Sequence, residues 1–121
     1  YESLQLALNS LTKDLEDIKA DFCDNNGNKW NIKLYFSADW KMLALCLGHK
    51  AANSNNFCLW CECRKELNGD FNYDWIISKN MNDINQNFIK KDGHTKKPLF
   101  PMIAINYWVV DELHLLLRIT D

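Results

Sequence analysis

A chain of 121 residues, 47% hydrophobic and 25% charged, has the make-up of one folded domain or a slice of a larger one, and this balance argues against disorder. A net charge of -2 excludes an overall basic surface, so any contact with nucleic acid falls to a local patch. No stretch approaches the ~18 uninterrupted apolar residues of a membrane span and no basic-then-apolar leader is present, which points to a soluble, intracellular protein with no membrane contact.

Residues 1 to 20 carry Leu4, Leu8, Leu11, Leu15 and Ile18 at three- and four-residue spacings, which predicts an amphipathic helix lying on a sheet. Asp21 to Asp24 reads as a short strand, and Asn25-Asn26-Gly27-Asn28 has the residues of a tight hairpin turn. Trp30, Ile32, Leu34 and Phe36 then alternate with Asn31, Lys33, Tyr35 and Ser37, the pattern of a long strand with one buried face. Asp39 follows directly. Trp40 to Leu47 is apolar apart from Lys41 and predicts a helix packed against a sheet, ended by Gly48. A carboxylate at such a strand-to-helix junction suits an N-cap, satisfying free N–H groups.

Residues 49 to 56 are polar and rich in turn formers, hence a loop, and residues 57 to 65 hold three closely spaced cysteines. Residues 66 to 87 form a polar stretch with the weakest core of the chain. Phe88 to Lys97 contains Lys90, Lys91, His94, Lys96 and Lys97, a basic cluster that suits either a solvated loop or phosphate contact. Pro98 and Pro101 force an extended lead-in to Met102 to Ile105. Val109 to Ile119 reads as a helix with Asp111 and Glu112 in the first turn and Arg118 in the last, and His114 projects near Asp111. The chain opens on Tyr1 within a periodic pattern and stops after its most apolar segment, which reads as a fragment of a longer protein.

Five cysteines, three of them crowded together, do not resemble a secreted disulfide framework. Cys58-x-x-Cys61 fits the bite of one tetrahedral zinc, since two thiolates so spaced both reach a metal at about 2.3 Å. The other two ligands are open among Cys46, His49, Cys63, His94 and His114. A knot of buried reduced cysteines around Phe57, Leu59 and Trp60 is the structural alternative.

The order of an apolar strand, Ser37-Ala38-Asp39-Trp40-Lys41, a buried helix, a phenylalanine-led Cys58-x-x-Cys61 and Val110-Asp111-Glu112-Leu113-His114 resembles the middle of the recombination-activating recombinase and the Transib-type cut-and-paste transposases. With Cys58-Leu59-Trp60-Cys61, Pro98-Leu99-Phe100-Pro101 and the run from Asp111 to Ile119, it is also similar to uncharacterised transposon-derived proteins. The resemblance covers roughly residues 30 to 120 and implies an α+β or α/β chain holding part of an RNase H-like fold. Residues 1–50 would form its helix, hairpin, strand and helix, residues 51–97 a zinc-binding insertion with the basic loop, and residues 98–121 an extended lead-in and a truncated helix. Asp39 would be the second of three catalytic carboxylates and a ligand of Mg2+ or Mn2+, and Cys58 and Cys61 would bind structural Zn2+. The first catalytic Asp would lie upstream, and the last acidic residue and two zinc-binding histidines downstream. Lys41, Lys90, Lys91, Lys96 and Lys97 would touch the DNA backbone.

The function so implied is two-metal-ion chemistry on DNA phosphodiesters by a nuclear protein, with the remaining parts of the parent chain and a second subunit as partners and this piece inactive on its own. The competing reading is a zinc-stabilised DNA- or protein-binding module without chemistry, so the assignment as an enzyme stays open.

Overall fold

The structure is a computed structural model that describes residues 1–120 and the side chains of residues 1–117. It is a mixed α+β arrangement. Helix α1 (Glu2–Ala20) leads into an antiparallel hairpin of β1 (Phe22–Cys23) and β2 (Lys29–Trp30), followed by β3 (Phe36–Ala38) and helix α2 (Trp40–Cys46). After a long loop come helix α3 (Met81–Asn87), strand β4 (Trp108–Val110) and helix α4 (Glu112–Thr120). Strand β4 runs parallel to β3 in the register Phe36↔Trp108, Ser37↔Val109 and Ala38↔Val110.

The long strand predicted over residues 30 to 37 is therefore only partly formed. Ile32, Leu34 and Phe36 do turn inward while Asn31, Lys33, Tyr35 and Ser37 face out, but Trp30, expected on the buried face, is exposed in the hairpin. The ladder is short because the partner β4 supplies three residues of pairing. Val109 and Val110, expected in a helix, belong to that partner strand, and the helix starts at Glu112. Two β-branched residues pairing beside β3 outweigh a helical reading of the same run. The side chain of Arg118, expected to face the dipole of α4, lies outside the described side chains.

Helix α1 packs through Leu4, Leu8 and Leu15, with none of its residues fully buried. Leu11 and Ile18 remain exposed, and the half-buried Thr12 stands in line with Leu8, donating from its hydroxyl to the Leu8 carbonyl at 3.0 Å. The hairpin turn forms as its sequence requires. Gly27 takes φ +80°, and Asp24 accepts hydrogen bonds at 2.9 Å from the N–H groups of Asn26 and Asn28.

The core lies between α2, α3 and the segment around the two prolines. Leu43, Leu47, Leu59, Ile84 and Trp108 are fully buried, with Leu99, Phe100, Ile103 and Ile105 around them. Full burial stabilises by about 1.5–3 kcal/mol per large apolar side chain. The Trp108 ring meets Phe36 at 4.7 Å and Phe100 at 6.3 Å, and its Nε1 donates to the Ile103 carbonyl at 3.0 Å. The weak middle stretch contributes more than its composition suggests: Asn80 caps α3 through the N–H groups of Asn82 and Asp83, which seats Met81 and Ile84 in the core. No described helix is long and apolar enough to cross a membrane.

Candidate functional site

Helix α2 is fixed at both ends by its sequence. At the start, Asp39 has extended backbone and its Oδ1 accepts from Met42 N at 2.7 Å, a side-chain N-cap. At the end, Gly48 at φ +65° lets its own N–H donate to Leu45 O and that of His49 to Ala44 O, the paired bonds of a Schellman motif. A Cβ at Gly48 would lie 2.2 Å from the Lys96 carbonyl oxygen, so glycine is needed for close approach as well as for φ.

The register of β3 and β4 brings a second carboxylate beside Asp39. Ala38 pairs with Val110, the next residue on each strand is an aspartate, and Asp111 N donates to Ala38 O at 3.0 Å. Asp39 and Asp111 thus occupy neighbouring positions at the carboxyl ends of two parallel strands, each at the start of a helix. Asp111 accepts at 2.8 Å from His114 N and lies 2.8 Å from His114 Nδ1. The His114 N–H and ring, in that order, hold the Asp111 carboxyl below the usual range. His114 faces Asp111 as its spacing predicts, and it borders a mostly apolar cleft of about 430 Å³ lined also by Trp40, Phe57, Lys65 and Leu115. Sequence reasoning assigned Asp111 to the helix dipole and missed its partnership with Asp39, because the parallel pairing joins segments far apart in the chain.

The five basic residues expected to meet DNA do not act as one patch. Lys91 pairs with Asp83, and Lys96 pairs with Glu2 while standing 4.7 Å above the Tyr1 ring. Lys41, Lys90 and Lys97 are exposed and make no ion pair among the described residues.

Beneath the loops the cysteines meet. Cys58 Sγ and Cys61 Sγ are 3.0 Å apart, and Cys61 N donates to Cys58 Sγ at 3.3 Å. Burial, then the neighbouring Cys58, pushes the Cys61 thiol up to about 11. Cys46 is buried elsewhere in the core beside Met42, with its thiol also pushed up to about 11 by burial. Among the described residues no three of His, Cys, Asp or Glu form a group that could hold a metal ion.

His49 and His94 come together through an antiparallel bridge, with Lys50 N donating to Gly93 O and Thr95 N to Gly48 O, both at 2.8 Å. Their rings stand edge to face at 4.7 Å. Both are kept neutral: burial lowers His49 to about 4, and burial with the neighbouring His49 and Lys79 lowers His94 to about 3. Compared with protein-family models, with curated proteins and with solved structures, the chain matches none.

Proposed function

We propose that the chain is part of a transposase- or recombinase-like protein acting on DNA phosphodiesters, with Asp39 and Asp111 as carboxylate ligands of Mg2+ or Mn2+. The observation that carries this reading is the strand register, which sets two aspartates side by side at the carboxyl edge of a parallel pair, where open α/β sheets bind their ligands. A pair of carboxylates joined by phosphate oxygens and water is a suitable hard-oxygen set for Mg2+. Asp39 is already an N-cap through Oδ1, and its Oδ2 makes no hydrogen bond among the described residues, so cap and ligand are compatible in one side chain. In such a site two ions activate the attacking oxygen and stabilise the leaving one. Lys41, Lys90 and Lys97 would add sequence-independent affinity for the phosphate backbone.

In this reading Cys58 and Cys61 hold a structural Zn2+ that braces the loops, a role that fits their converging thiols. The competing reading, a zinc-stabilised binding module without chemistry, rests on the same thiols. Metal-dependent cleavage of DNA by the protein bearing this chain separates the two. Asp39→Asn, which keeps a capping oxygen, and Asp111→Asn should each abolish cleavage with the fold intact. Undiminished cleavage by either variant removes that carboxylate from the reaction.

A further inference from the structure

Cys58 Sγ accepts from two donors on one residue, the Cys61 N–H at 3.3 Å and the Cys61 thiol at 3.0 Å. The nucleophile of a dithiol is its thiolate, and both donors are aimed to receive that charge on Cys58. The two cysteines also differ in access, Cys58 being half-buried and Cys61 only 6% exposed. Both border an open groove of about 660 Å³ whose walls include Trp60, Trp75, Ile77 and Val110. The third thiol of the cluster, Cys63, turns to a different partner and donates to the Arg64 carbonyl at 3.7 Å.

The turn that carries the two sulfurs is tied down through other atoms. The Trp60 carbonyl accepts from Ser78 N at 3.1 Å and from Lys79 N at 3.0 Å, and the Cys58 carbonyl accepts from the buried Lys79 ammonium at 2.7 Å. Leu59 is fully buried, and Trp60 Nε1 donates to the Trp108 carbonyl at 2.9 Å. None of these contacts uses a sulfur. Closing the sulfur separation to the roughly 2.0 Å of a disulfide is a movement of about 1 Å, within reach of side-chain rotation.

We propose that Cys58 and Cys61 form a thiol–disulfide exchange site, with Cys58 as the attacking sulfur, Cys61 as the resolving one, and a small aliphatic disulfide entering the groove as substrate. The Cys58 thiolate attacks one substrate sulfur, which breaks the substrate S–S bond, forms a mixed disulfide on Cys58 and expels one thiolate. Cys61 then gives its proton to solvent and attacks Cys58 Sγ, closing the protein disulfide and expelling the second thiolate. The two cysteines lose two electrons and two protons, and the substrate leaves as two thiols. This activity goes beyond the zinc role given to the same cysteines and does not depend on it, since the exchange needs both sulfurs free of metal.

The test equilibrates the reduced, chelator-treated protein bearing this chain with oxidised and reduced glutathione, quenches in acid, alkylates the remaining thiols and maps each cysteine by mass spectrometry. Cys23, an exposed free thiol on the hairpin, is the internal reference. Diluting the buffer about tenfold at a constant oxidised-to-reduced ratio should raise the disulfide-to-dithiol ratio of Cys58 and Cys61 about tenfold and leave the mixed disulfide on Cys23 unchanged. The difference arises because closing the protein disulfide releases two glutathiones and forming a mixed disulfide releases one. Cys61→Ser should trap glutathione on Cys58, and Cys58→Ser should leave Cys61 unmodified. Cys58 and Cys61 staying reduced at every ratio that modifies Cys23, or a disulfide that engages Cys63 instead, overturns the proposal. Glutathione reaching Cys61 in the Cys58→Ser protein as fast as it reaches Cys58 in the Cys61→Ser protein overturns the choice of attacking sulfur.

Discussion

At the ends of β3 and β4, Asp39 and Asp111 stand half in water with oxygens taken up by the backbone N–H groups of the helices they begin. Under the loops, His49, His94 and Lys79 are buried, and His94 Nε2 has no hydrogen-bond partner among the described residues. Capping alone accounts for the first pair as a matter of stability, so a metal role there needs a functional test. The second group carries a cost of burial, since His49 Nε2 is met by the Lys79 ammonium while His94 Nε2 has no hydrogen-bond partner among the described residues.

The largest expected effect comes from removing what both regions share. Trp108 lies on β4, and its carbonyl accepts from Trp60 Nε1, at 2.9 Å, in the cysteine turn. Trp108→Ala should cost about 3–5 kcal/mol and unfold both regions in one denaturant transition. Two separate transitions would show that strand ends and loops are independent, which breaks the comparison.

Next is a pair of glycines with similar backbone and different surroundings. Gly27 and Gly93 have φ of +80° and +86°, but a Cβ meets nothing within 4 Å at Gly27 and His49 Nε2 at Gly93. Gly27→Ala should cost about 1–2 kcal/mol from the left-handed backbone. Gly93→Ala should cost about 1–3 kcal/mol more, from overpacking the histidine space. Equal losses in urea denaturation would mean that His49 moves aside freely.

Asp39→Ala should lower stability by about 1 kcal/mol through the lost cap, while Asp39→Asn should be nearly neutral. A large loss for the asparagine variant would make the negative charge itself structural. The smallest effect belongs to the hairpin. Hydrogen bonds from the Asn28 side chain and backbone, then from the Trp30 indole, hold the Asp24 carboxyl at about 2, below its ordinary 3.8. A lowered carboxylate stabilises above its unfolded value and loses that contribution as pH falls through the folded one. The hairpin should therefore loosen between about pH 4 and pH 2, read by Trp30 fluorescence, and Asp24→Asn should remove that acid dependence.

Local chemistry was legible in the sequence and long-range assembly was not. The N-cap at Asp39, the stop at Gly48 and the turn at Gly27 depend on neighbours within a few residues, and each formed as its sequence dictates. The helix expected from Val109 became a strand at its start because β3, some seventy residues earlier, offered a partner. The same pairing set Asp111 beside Asp39. His49 and His94 were visible as donors with nothing to say that they meet, since their bridge joins the end of α2 to the basic loop. That loop read as a cationic patch until Lys91 and Lys96 found Asp83 and Glu2.

The most direct test of the carboxylate pair is Mn2+ binding to the chain, measured by water-proton relaxation, for the unchanged sequence, Asp39→Asn and Asp111→Asn. Saturable Mn2+ binding that Mg2+ displaces and that either asparagine removes, with circular dichroism unchanged, is the predicted result. Equal Mn2+ binding by all three proteins, or none by the unchanged chain, would contradict it.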